Sequence, residues 1–159
     1  MKVKGIIDID FQNYKKPSLY IAFPHCDFKC GKVNCQNSLL NRQKTYEINI
    51  QEIIDLFDKN PLTKAVVCGG LEPLDSWDEL QNFILNFRYN HPDDIVIYTG
   101  YKEEEVKDKI EWLSLYENII IKFGRYKPNK EPRYNKLLGV DLASPNQYAK
   151  AYNVMEGYC

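Results

Sequence analysis

Long apolar runs, an excess of charge of one sign and a paired-cysteine pattern are all missing from this 159-residue chain. No stretch approaches the roughly 18 consecutive apolar residues of a membrane span, so no transmembrane helix and no membrane partner are expected. The start, MKVKGIIDID, places Asp8 and Asp10 where the apolar region of a secretory leader would continue, and a cytoplasmic location is the expectation. Lys and Arg number 21 against 22 Asp and Glu, a formal charge of −1. Neutralising nucleic-acid phosphates takes a basic stripe along the protein, which this balance does not suggest, so nucleic acid is not the expected partner. With 44% apolar and 27% charged residues the composition is that of a globular protein, not a disordered or fibrous one. A single domain over residues 1–159 is expected, with room for a core but none for a separate substrate domain.

Five cysteines, at positions 26, 30, 35, 68 and 159, are an odd number, and three fall within ten residues. Without an export signal this is a poor disulfide scaffold. A tight triplet in a reducing compartment points to metal binding or redox chemistry instead.

Four short apolar runs read as buried parallel strands: Leu19 to Phe23, Ala65 to Cys68, Ile95 to Tyr98 and Ile119 to Phe123. An earlier strand is expected over Lys4 to Phe11. Between the runs, Ile50, Ile53, Ile54 and Phe57 have helical spacing behind an Asn49/Glu52 capping box. Trp77, Leu80, Ile84 and Phe87 form a second stripe, with Ser76/Glu79 as its cap signature. Val106, Ile110 and Leu113 form a third, preceded by Glu103, Glu104 and Glu105, where a helix N-terminus favours negative charge. Strands alternating with helices predict right-handed βαβ crossovers, an α/β class and a parallel sheet. A closed eight-unit barrel takes about 250 residues, so an open, partial (β/α) barrel with a side entrance is expected. From Gly124 onward, Pro128, Pro132 and Pro145 punctuate a tyrosine-rich stretch (Tyr126, Tyr134, Tyr148, Tyr152, Tyr158), which reads as irregular chain packed over the sheet.

Ligands collect at the carboxyl ends of parallel strands, and Cys26, Cys30 and Cys35 follow the first of them directly. Spacing alone admits two metals. Three thiolates on one loop suit three irons of a [4Fe-4S] cluster with the fourth iron open; a structural zinc would recruit His25 or His91 to complete Cys3His. After the second strand comes Cys68-Gly69-Gly70-Leu71-Glu72-Pro73, where the glycines let backbone approach a ligand and Glu72 can hold an ammonium group. Cys68 itself reads as a small apolar strand residue, and Cys159 as a free thiol.

In combination these segments resemble the radical S-adenosylmethionine superfamily, and within it the activating component of anaerobic, class III ribonucleotide reductase. Cys35-Gln36-Asn37 is similar to that family's Cys-x-Asn, and Gly69, Gly70, Glu72 and Pro73 to its Gly-Gly-Glu-Pro. Tyr98-Thr99-Gly100-Tyr101 matches its third-strand motif, Lys122-Phe-Gly124-Arg-Tyr126 its Lys-x-Gly-x-Tyr strand, and Asn146-Gln147 its C-terminal signature. Two features depart from the pattern: the triplet is Cys-x3-Cys-x4-Cys where the family has Cys-x3-Cys-x2-Cys, and Leu71 interrupts Gly-Gly-Glu-Pro.

The resemblance implies that Cys26, Cys30 and Cys35 ligate a [4Fe-4S] cluster whose open iron chelates S-adenosylmethionine. Gly69, Gly70 and Glu72 would hold the methionyl ammonium, Lys122 the carboxylate, Thr99 the ribose or methionine, and Asn146 and Gln147 would close over the nucleoside. It further implies a glycyl-radical reductase large subunit as substrate and a low-potential, flavodoxin- or ferredoxin-like electron donor. Two rivals are a radical enzyme acting on a small purine-like molecule and a non-catalytic zinc-binding module.

Overall fold

The computed structural model describes residues 1–27, 31 and 35–153. In chain order the elements are β1 (Lys2–Val3), β2 (Gly5–Asp10), β3 (Ser18–Phe23), α1 (Ser38–Arg42), β4 (Tyr46–Glu47), α2 (Ile50–Lys59), β5 (Ala65–Gly70), α3 (Trp77–Arg88), β6 (Asp94–Tyr98), α4 (Lys107–Leu113), β7 (Ile119–Phe123), β8 (Arg133–Asn135), β9 (Val140–Leu142) and β10 (Tyr148–Tyr152). Cys30 and Cys159 lie outside the described residues, as does Tyr158.

Among the described residues the main sheet runs β10-β7-β6-β5-β3-β2. Its middle is parallel: β3 pairs with β5, β5 with β6 and β6 with β7. β2 and β10 are antiparallel additions at the two edges. The parallel strands follow one another in chain order without reversal, so the crossover helices share one face and all four strand ends open at one end. No helix among the described residues is long and apolar enough to cross a membrane.

Strand periodicity divides the core in two. One face carries Leu19, Ile21, Phe23, Val66, Ile95, Ile97, Ile119 and Ile121 against Ile53 and Phe57 of α2, Leu80, Ile84 and Phe87 of α3 and Leu113 of α4. Side chains of this kind, fully buried, each contribute roughly 1.5–3 kcal/mol before entropy is charged. The other face carries Ala65, Val67, Val96 and Ile120 under Tyr14, Leu138 and Leu142. Both faces being covered, the strands are near-continuous in apolar residues, which is why they read so clearly in the sequence.

Three expectations need correction. The chain after Gly124 is not irregular throughout: β8 and β9 form a hairpin over the second face, and β10 extends the sheet beside β7. Pro128, Pro132 and Pro145 all lie in the connections, where no ladder donor is lost. Ser76 makes no capping bond, because a 3-10 turn over Pro73–Ser76 leads straight into α3; its hydroxyl is buried without a partner among the described residues, and Glu79 instead accepts from the Lys2 amide. Asn49 does cap α2, but by accepting from Gln51 N at 2.8 Å.

Candidate functional site

The chain leaving β3 and the chain leaving β5 stay zipped together beyond the sheet. Phe23 pairs with Gly70 in register, and then Leu71 N donates to Phe23 O at 3.1 Å and Glu72 N to His25 O at 2.8 Å. This brings the first cysteine beside the glycine pair. β5 itself runs through Gly69 and Gly70 instead of stopping before them, so the glycines are the last rungs of a strand.

Their identity has a steric cause. The Tyr20 ring lies across Gly69, and a Cβ there would sit 2.7 Å from the Tyr20 hydroxyl oxygen. Gly70 has φ +86°, and its Cβ would meet Phe23 N at 2.7 Å. The Gly70 peptide is held on both sides: its N–H donates to Tyr20 Oη at 2.6 Å, and its carbonyl accepts from Asn37 Nδ2 at 2.6 Å. Gly70→Ala is therefore expected to cost at least about 1 kcal/mol of stability from the left-handed backbone alone, and more from the backbone clash, as read by denaturant unfolding.

The strand ends surround a cleft of about 310 Å³. Cys26, Cys35 and Asn37 line it from the first loop, Gly69, Gly70, Leu71 and Glu72 from the second, Thr99 and Gly100 from the third, and Lys122 and Gly124 from the fourth. Residues 140–143, Gln147 and Tyr126 close it from the C-terminal side. The structure thus brings together every described residue that the resemblance singled out for the cluster and S-adenosylmethionine except Asn146, which lies just outside, with Nδ2 donating to Arg125 O at 2.8 Å.

Two opposite charges are buried in this cleft. Glu72 is 4% exposed. Its Oε1 accepts from Leu74 N at 3.1 Å and its Oε2 from Gly100 N at 2.8 Å, so the carboxylate ties the end of β5 to the end of β6. Burial pushes its pKa up from the ordinary 4.5 to about 7, against the pull of those two amides and of the Thr99 hydroxyl. Leu71 does not push Glu72 out of the site. Lys122 is 7% exposed, on the strand face opposite the helices. Its Nζ donates to Gly124 O at 2.9 Å and lies 5.8 Å from the Tyr98 ring centroid. Thr99 Oγ1 accepts from Tyr101 N at 3.1 Å as well as bonding Glu72, so it braces the carboxylate. Gln147 Nε2 donates to Gly124 O at 3.2 Å.

The remaining metal-binding residue types sort by position. Cys26 and Cys35 are half-buried on the cleft wall. Cys68 points to the helix side, fully buried, and burial raises its thiol pKa far out of the thiolate range. Cys26 Sγ also lies within 4.8 Å of carboxylate oxygens of Asp27 and Asp75, which the Tyr101 hydroxyl bridges at 3.1 and 2.6 Å. His91 stacks on Phe87, with centroids 4.6 Å apart, in the turn leading into β6, at the opposite end of the strands from the cysteines. His25 is exposed, and its backbone carbonyl accepts from Glu72 N.

The two side chains that hold the Gly70 peptide, Tyr20 and Asn37, carried no assigned role in the sequence. Asn37 had a signal in the Cys-x-Asn match; Tyr20 had none, since its partner is 50 residues away.

Soft thiolates on an open loop beside a cleft are the donor type iron–sulfur clusters use. No curated protein and no solved structure matches this chain. The sequence profile of one family, described as a 4Fe-4S single cluster domain, matches residues 16–143, which takes in the first cysteine loop, all four parallel strands and the C-terminal hairpin. The chain belongs to this 4Fe-4S single cluster domain family, and it is an iron–sulfur protein.

Proposed function

We propose that the protein is a radical S-adenosylmethionine activating enzyme, built as an open partial (β/α) barrel, that generates a glycyl radical on the large subunit of an anaerobic ribonucleotide reductase. The observation that carries this reading is the pair of buried opposite charges, Glu72 and Lys122, in the same cleft as Cys26 and Cys35. One carboxylate and one ammonium at the edges of one cleft suit a zwitterionic amino-acid head group, and the methionyl end of S-adenosylmethionine is one.

Cys26, Cys30 and Cys35 would hold the cluster. Such a cluster, reduced by a flavodoxin- or ferredoxin-like donor, would supply the one electron needed to cleave the sulfonium–C5′ bond of S-adenosylmethionine to methionine and a 5′-deoxyadenosyl radical able to take a hydrogen atom from a glycine Cα. The chain's own residues bind and orient. Glu72 accepts from the methionyl ammonium with the lone pairs that Leu74 and Gly100 leave over, while Lys122 attracts the carboxylate. Gly69 and Gly70 offer a bare backbone edge, and Thr99 keeps Glu72 aimed. Gln147, with Asn146 behind it, braces the Gly124 turn beside the nucleoside end. The C-terminal segment excludes water from one side.

The test is anaerobic reconstitution, reduction with dithionite in the presence of S-adenosylmethionine, and assay for 5′-deoxyadenosine. A fully loaded, reduced protein that releases none would end the reading; a glycyl-radical signal on the added large subunit separates it from an enzyme for a small purine-like substrate. Lys122→Met is expected to weaken S-adenosylmethionine binding about tenfold, by loss of one charge-assisted contact, with iron content unchanged.

A further inference from the structure

Charge is unevenly distributed along the chain. Residues 127–136, Lys-Pro-Asn-Lys-Glu-Pro-Arg-Tyr-Asn-Lys, carry four cations and one carboxylate, a net +3, so the rest of a chain whose total is −1 carries −4. Lys127, Lys130, Arg133 and Lys136 are all exposed. The ion pairs among the described residues are made by Lys16, His91, Arg125 and Lys150, and none by these four. Unneutralised cations this close in sequence repel one another, a cost that an opposing anionic surface would remove.

The segment is anchored at the cleft rim. Arg125 and Tyr126 at its start and residues 140–143 after its end all line the cleft. Between them the β8–β9 hairpin is fixed from beneath: Leu138 and Leu142 are buried, Lys15 N donates to Leu138 O at 2.7 Å, and Gly139 N donates to Asn135 O at 2.8 Å. β8 and β9 form a two-stranded sheet in which β9 lines the cleft and β8 is the outer strand. The far edge of β8 is therefore unpaired among the described residues, and Tyr134 on it is 64% exposed. An open strand edge is a template for another extended chain: main-chain bonds give affinity and flanking side chains give selectivity.

We infer that the β8 edge, with the four cations of the segment that carries it, forms a docking surface beside the cleft rim for an acidic, extended polypeptide segment. An open strand edge favours polypeptide over nucleic acid, and four cations are fewer than the phosphate contacts that sustain tight nucleic-acid binding. The inference names the kind of partner the cleft serves and rests on the reading above for the chemistry done there; the docking itself is testable separately.

The experiment compares cluster-loaded wild type with Lys127→Glu/Lys130→Glu/Arg133→Glu, using a labelled glutamate-rich peptide with one central glycine, followed by fluorescence anisotropy at low and high salt. The wild type should bind the peptide at low salt and release it as salt rises; the variant should bind at least about tenfold more weakly and lose that salt dependence. Cleavage of S-adenosylmethionine without peptide should be equal in both, which shows that the variant is folded and its cleft intact. Equal peptide affinity in the two proteins, or no binding by the wild type, overturns the docking surface. Tighter binding of a single-stranded oligonucleotide of the same charge overturns the choice of a polypeptide. Absence of cleavage in the wild type sinks the proposed chemistry, while the anisotropy still decides the docking.

Discussion

Cys35→Ala, reconstituted anaerobically with iron and sulfide, is expected to hold no cluster: iron and acid-labile sulfide fall to background against about four of each in the wild type, and 5′-deoxyadenosine formation disappears. A [4Fe-4S] centre with three protein thiolates already has one iron without a protein ligand, so a second vacancy is not tolerated unless another thiol can replace the lost one. Among the described residues the only other cysteine besides Cys26 and Cys35 is Cys68, and it cannot substitute. It lies on the helix-facing side of β5 with no exposure, and burial pushes its thiol pKa far up, so the thiolate that iron requires is strongly disfavoured. The paired control follows from the same geometry. Cys68→Ala should keep its full iron content and lose on the order of 1 kcal/mol of stability, the ordinary cost of removing a small buried side chain. Retention of the cluster in Cys35→Ala, or its loss in Cys68→Ala, would reverse the assignment.

What the sequence makes legible follows from how local each cause is. The four parallel strands show as apolar runs because both faces are covered, and α2 and α3 show because one stripe of each is buried. The end of β5 is illegible: Gly69 and Gly70 look like a turn, and they are strand because they pair with Ala22 and Phe23 of β3, where Tyr20 and the β3 backbone leave no space for a Cβ. β10 is illegible for a related reason. Tyr148-Ala-Lys-Ala-Tyr152 has little strand propensity of its own and is ordered by pairing with Ile119–Phe123, held further by Lys150 on Glu103 at 2.6 Å. At the site, residue types were readable and positions were not. Glu72 stands one residue late in the motif, yet it reaches the cleft because the Leu71 and Glu72 amides follow Phe23 and His25 of the neighbouring chain, and Gly100 N captures its carboxylate. Pairings across 28 to 50 residues, such as Glu72 with Gly100 and Tyr20 with Gly70, have no signature in local spacing.

Glu72 should also write a pH dependence into the stability of the ligand-free protein. Its folded pKa is raised from 4.5 to about 7, chiefly by burial. Between those values the folded state holds a proton that the unfolded state has released, so stability falls as pH rises. The contribution is fully present below pH 4.5 and is lost as pH passes through about 7; the difference between the two pKa values corresponds to about 3 kcal/mol. Urea unfolding of the cluster-free, reduced protein across this range should show the decline, and Glu72→Gln should lack it. The comparison must be of slopes and not of absolute stabilities. Both carboxyl oxygens accept a backbone N–H, from Leu74 and Gly100, whereas an amide offers one acceptor and leaves the other N–H facing its own NH2 group, so the variant carries a pH-independent offset of its own. A ligand ammonium turns the same linkage round. Because it needs the charged carboxylate, S-adenosylmethionine should bind the cluster-loaded wild type more tightly as pH rises, by up to tenfold per pH unit below about 7 and levelling off above it, with proton release that shrinks over the same interval. Glu72→Gln should bind weakly with no such trend. A wild-type affinity flat across that interval would place the ammonium away from Glu72, and with it would fall the zwitterion reading of the cleft.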